Sequence, residues 1–166
     1  MRSKMFSRFG AIGAVALTLG LGACSDDQEP VSIFETLQAD ARFTTLVTAI
    51  EAAGLDDELS TGEPFTLFAP TNAAFDALPA GVLDAVLADV DLLTDVLLYH
   101  VASGTTLSTD LSDAQSITTL LTGATLTVSI SGSTVEINDA TVIQADIDAS
   151  NGVIHVIDGV LVPDTN

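Results

Sequence analysis

Hydrophobic positions along residues 31–54 recur at three- and four-residue steps, through Ile33, Leu37, Phe43, Leu46, Val47, Ile50 and Ala53. This spacing predicts helix, with Gly54 placed to end it as a left-handed cap. Asp56 to Glu63 is polar and reads as a loop or single turn, and Phe65 to Phe68 as a short buried strand closed by Ala69-Pro70. Thr71 or Asn72 can cap a following helix with Phe75 and Leu78 on its inner face, stopped by Pro79. Gly81–Leu87 and Asp91–Val101 read as two more helices. After Gly104 the texture changes to threonine, valine and isoleucine in alternation. Ser116–Leu121, Ala124–Ile130, Thr134–Asn138, Thr141–Asp146, Gly152–Asp158 and Val160–Val162 read as strands, with turns at Ser131-Gly132 and Asn138-Asp139. A helical half followed by a largely antiparallel half predicts an α+β domain over residues 31–163, without internal repeats.

The first 23 residues read as an export signal. Arg2, Lys4 and Arg8 precede an apolar stretch from Phe9 to Ala23 that is short for a permanent membrane span. Leu21-Gly22-Ala23-Cys24 resembles the lipobox of bacterial lipoproteins, in which cleavage precedes the cysteine and its thiol is acylated. Cys24 is the sole cysteine of the 166 residues, so no internal disulfide is available and acylation accounts for the single thiol. Residues 24–30, with Asp26, Asp27, Glu29 and Pro30, form a polar tether, and residues 164–166 a short tail. The expected protein is exported and held by a lipid on the bacterial cell envelope.

All 23 acidic residues follow Cys24 while Arg42 is the one base that does, a formal net charge of −22 beyond the signal. Such a surface repels phosphate backbones, which excludes nucleic acid as a partner. It also predicts stabilisation by salt, because a field of one sign repels itself unless screened.

Candidate chemistry is sparse. His100 and His155 are the two histidines, and neither a Gly-x-Ser-x-Gly elbow nor a His-Glu-x-x-His pair is present. No catalytic residue, cofactor or metal site is expected. Asp146-Ile147-Asp148 before Ser150-Asn151-Gly152 lacks the alternation of acids and the closing glutamate of a calcium loop, and reads as a solvated acidic turn. Asp56-Asp57-Glu58 reads as charged surface. His155 lies inside a run of β-branched residues, so a buried, hydrogen-bonded structural role is expected.

Three stretches together resemble the fasciclin-like domain family. They are Thr66 to Phe75, with Phe68, Pro70, Thr71, Asn72 and Phe75; Leu97-Leu98-Tyr99-His100-Val101; and Asn151 to Pro163, with Asn151, Gly152, His155 and Asp158. The resemblance covers residues 31–163. It implies a wedge-like β-sandwich with the N-terminal helices packed against it, an extracellular setting, and adhesion or ligand binding in place of catalysis. In animal relatives the Tyr-His segment and an Asp-Ile pair upstream of the closing motif are associated with integrin binding. The corresponding positions are Tyr99, His100, Asp146 and Ile147, which become the candidate binding residues; no Arg-Gly-Asp occurs. A single copy limits avidity and suggests a monomer. The expected function is adhesion to, or recognition of, an envelope or matrix protein or polysaccharide, with a small-ligand or metal-binding envelope protein as the alternative. An enzyme built on the two histidines is the third class.

Overall fold

The computed structural model describes residues 31–163. Cys24 and the segments expected to be export signal, tether and tail lie outside the described residues. The helical half comprises α1 (Ile33–Ala39), α2 (Thr44–Ala53), α3 (Asp56–Thr61), α4 (Asn72–Asp76), α5 (Val82–Ala88) and α6 (Val90–Tyr99). Strand β1 (Phe65–Pro70) separates α3 from α4, and β2 (Val101–Ser103) follows α6 directly. The remaining strands are β3 (Ser116–Thr118), β4 (Thr125–Ser131), β5 (Thr134–Ile137), β6 (Ala140–Ala149) and β7 (Gly152–Ile157).

The seven strands run in the order β2-β1-β7-β6-β5-β4-β3. All pairs are antiparallel except β1 with β7, which run parallel from Phe65 opposite Gly152 to Pro70 opposite Ile157. The two outer strands approach each other through a bridge between Ala102 and Thr119, so the sheet curls into a near-barrel wedge with few free edges.

Every residue of β1 and β7 is buried, because these strands face a core on each side. Leu67, Ala69, Ile154 and Val156 join Leu37, Leu46, Ile50 and Leu97 in a core between sheet and helices. Phe68 and Ile157 point the other way, into a second core inside the curled sheet with Leu126, Val128 and Ile137. The N-terminal helices thus pack on one face of the sheet, while the other face closes on itself.

Local chemistry explains most boundaries. Ser32 and Glu35 cap α1 reciprocally, and Gly54 ends α2 at φ 68°. The predicted helix over 31–54 is two helices, interrupted where Asp40 accepts from the Arg42 amide and starts a single turn of 3₁₀ helix. Asp56–Thr61 is helical where a loop or single turn was expected, with Leu59 as its one buried residue. Val101 begins β2 and does not extend α6. Val160–Val162 is not a strand: the Leu161 amide donates to His100 in place of a strand partner.

Candidate functional site

His155 is completely buried on β7 and stacks on Phe68 of β1, with ring centroids 5.6 Å apart and planes 24° from parallel. Nδ1 lies 3.3 Å from the amide nitrogen of Asp146, which can only donate. The ring proton therefore sits on Nε2, which donates to the Thr106 carbonyl at 2.8 Å. Both nitrogens of a neutral imidazole are satisfied, one by strand β6 and one by the loop after β2.

That loop is held at several points. Thr66 of β1 donates its hydroxyl to the Gly104 carbonyl at 2.7 Å and accepts from the Thr106 amide at 2.8 Å. Further on, the Ser108 amide donates to the Asp146 carboxylate at 2.7 Å, and the Ser108 hydroxyl donates to the other carboxylate oxygen. The Ser108 side-chain bond, then its backbone bond, holds the Asp146 carboxyl below the usual carboxylate range. Asp146 adopts φ 56°, at a point where the β6–β7 register shifts between Gln144 and Ile147. This left-handed residue inside a bulged strand aims its carboxylate at the loop. The expected acidic turn at Asp146–Asp148 is accordingly part of β6, and the reversal occurs at Ser150-Asn151.

His100 closes α6 and is 1% exposed. Nε2 accepts the Leu161 amide at 2.9 Å, so the proton is on Nδ1, which donates to the Val96 carbonyl at 2.7 Å. Burial lowers its pKa to about 4, partly opposed by the bond to Val96. The two histidines thus take opposite neutral tautomers, and neither keeps a free nitrogen for proton transfer. Tyr99 is also buried; its hydroxyl donates to the Thr125 carbonyl at 3.2 Å and accepts from Asn138 Nδ2 at 2.9 Å.

The other motif residues tie elements together. Asn151 accepts the Ile33 amide at 2.8 Å and donates to the Leu59 carbonyl at 2.8 Å, fastening α1 and α3 to the start of β7. Gly152 sits at φ 151°, where a Cβ would stand 1.9 Å from the Phe65 carbonyl oxygen, so only glycine allows β1 to approach. Asp158 accepts the Thr141 amide at 2.7 Å. Thr71 caps α4, Asn72 accepts the Thr45 amide of α2 at 3.0 Å, and Phe75 packs into the helix-side core next to Pro70, the last residue of β1.

The four candidate binding residues fall into two groups. Tyr99 and His100 bond to Thr125, Asn138, Val96 and Leu161, whereas Asp146 bonds to Ser108 and His155; the two sets share no partner. Ile147 is half-buried against the helix-side core. Asp146 alone of the four is exposed. The structure adds Leu107, 38% exposed, and Ile143, 53% exposed, on the two segments that Ser108 and Asp146 join. Nothing local in the sequence marks them, because the tie spans 38 residues. Among the described residues no three histidine, cysteine, aspartate or glutamate side chains are grouped to hold a metal.

Comparison with known proteins agrees with this geometry. The family model described as the fasciclin domain matches residues 41–163. The protein sll1483 of Synechocystis sp. is 44% identical over 135 residues, spanning 80% of this chain and 74% of that protein. Transforming growth factor-beta-induced protein ig-h3 of Sus scrofa is 39% identical over 135 residues, which are 81% of this chain but 20% of that much longer protein. Among solved structures, a FAS1 domain pair from the insect cell adhesion molecule fasciclin I superposes with a TM-score of 0.66 at 20% identity, covering 81% of this chain and 51% of that one. None of these three carries an enzyme's name. With its three sequence motifs set at the junctions of a wedge-shaped α+β fold, the chain belongs to the fasciclin domain family.

Proposed function

We propose that the protein is an exported, lipid-anchored fasciclin domain that serves adhesion or recognition at the cell envelope. Its partner is a surface or matrix protein or polysaccharide, met by the face where the Gly104–Leu111 loop joins β6. The observation that carries this reading is the pinned juncture itself. Ser108 and Asp146 lock two segments together, His155 supports both from beneath, and each segment presents an exposed apolar side chain, Leu107 or Ile143. A rigid surface with apolar residues among carboxylates suits recognition, because little ordering entropy remains to be lost on contact. The histidines add no competing catalytic function, since their nitrogens are fully engaged. Cys24 supplies the anchor in this reading, which keeps the domain at the membrane without a spanning helix.

The test is surface attachment by a deletion strain complemented with the native chain, with Cys24→Ser, or with Leu107→Asp combined with Ile143→Asp. Loss of attachment in the deletion strain and in both variant strains, with the double variant still folded and displayed, supports the reading. Attachment unchanged in the deletion strain would overturn it.

A further inference from the structure

We propose that the domain has a second binding site, an apolar cavity that takes a small hydrocarbon bearing a cationic amine. The cavity has a volume of about 210 Å³ and lies among α2, α3, α6, β1 and the start of β2. Ile50, Leu67 and Val101, all fully buried, make its floor. Half-buried Leu55, Leu98 and Leu120 form its rim, and Glu58 is the single polar residue in its lining.

A void of this size against a hydrocarbon core is unusual, because protein interiors pack as densely as organic crystals. At Gly62, just after α3, a Cβ would meet both the Glu58 carbonyl oxygen and the Phe65 ring at 2.4 Å. The absent side chain lets the turn fold down over Phe65, whose ring becomes part of the wall. A concave, largely apolar space lined by one polar residue has the character of a ligand site.

The chemistry of the lining selects the ligand. An apolar cavity of about 150 Å³ accepts benzene, so this one has room for a somewhat larger aryl group or a medium-length alkyl chain. Charge decides the head group. Glu58, an exposed residue, lines the cavity, Asp56 and Asp57 lie on the same helix, and the chain beyond the signal carries −22. A carboxylate-headed amphiphile is repelled there, while an ammonium gains from both the near charge and the long-range field. The site is separate from the juncture of Ser108 and Asp146, so either proposal can fail without the other.

The full chain carrying Cys24→Ser, purified without detergent, is titrated with n-octylammonium, n-octanol and octanoate. Leucine and valine methyl resonances and calorimetry are followed. The expected result is saturable octylammonium binding with shifts at the cavity leucines and affinity at least about tenfold above octanoate. Glu58→Gln should measurably reduce the preference for the cation. Leu120→Trp should fill the space and abolish binding, with Leu98→Trp as the second filling variant if the first does not fold. Absence of saturable binding, octanol or octanoate binding as tightly as octylammonium, a preference unchanged by Glu58→Gln, or affinity unchanged in a folded cavity-filled variant would each overturn the proposal.

Discussion

Acidification should weaken this domain through His100. The imidazole is buried, accepts the Leu161 amide at Nε2, and has its pKa lowered to about 4. A proton on Nε2 would set one donor against another in a buried site. The unfolded chain has no such restriction and protonates near the ordinary value of 6.5. Between these values only the unfolded state takes the proton, so stability is fully present above the unfolded pKa and is lost as pH falls toward the folded one. The linkage relation gives a loss of about 2 kcal/mol at pH 5 and about 3 kcal/mol near pH 4, relative to neutral pH. The measurement is urea unfolding at pH 7, 6 and 5 in constant high salt, for the native chain and for His100→Gln. Glutamine keeps an acceptor for Leu161 but no titrating group, so the variant should start less stable and then change less with pH. Parallel pH profiles for the two proteins would refute the reasoning.

Other consequences are equally open to measurement. Gly152→Ala must push β1 away from β7 at Phe65 and should destabilise the fold by about 3 kcal/mol or more, seen as a large drop in Tm. His155→Ala removes the stack on Phe68 and leaves the Thr106 carbonyl and Asp146 amide without their partner; a loss of about 3 kcal/mol is expected, with faster amide exchange at both segments. Raising NaCl should raise Tm, since the 23 acidic residues that follow Cys24, against the one base Arg42, repel one another until screened, and a Tm independent of salt would contradict this.

Sequence reasoning reached the fold wherever the determining interaction was local or periodic. The Thr71 cap, the Gly54 stop and the burial of His155 in an apolar strand all follow from residues within a few positions. It failed where the decision is made at long range. Nothing near Val101 announces β2; Val101 and Ala102 continue an apolar run, and only pairing with Phe65, Thr66 and Leu67 makes Val101–Ser103 a strand. Val160–Val162 is apolar throughout, like a short buried strand, but its central amide is taken by His100, 61 residues away. Helix α3 has a single buried residue, too few to display a period. Asp146 reads as part of an acidic turn because a left-handed aspartate inside a bulged strand depends on Ser108 and His155, which no local pattern supplies. The family motifs located the junctions of the fold better than its surface, because the side chains of Asn72, Tyr99, His100, Asn151, His155 and Asp158 bond backbone groups of other segments. Leu107 and Ile143, by contrast, belong to no motif.

The account rests on both histidines being structural, each neutral with both nitrogens engaged. Long-range proton–nitrogen NMR of the two imidazoles at neutral pH tests this most directly. It should show the Nδ1-protonated tautomer for His100 and the Nε2-protonated tautomer for His155. An imidazolium, a rapidly averaged ring, or the opposite tautomer at either position would contradict it.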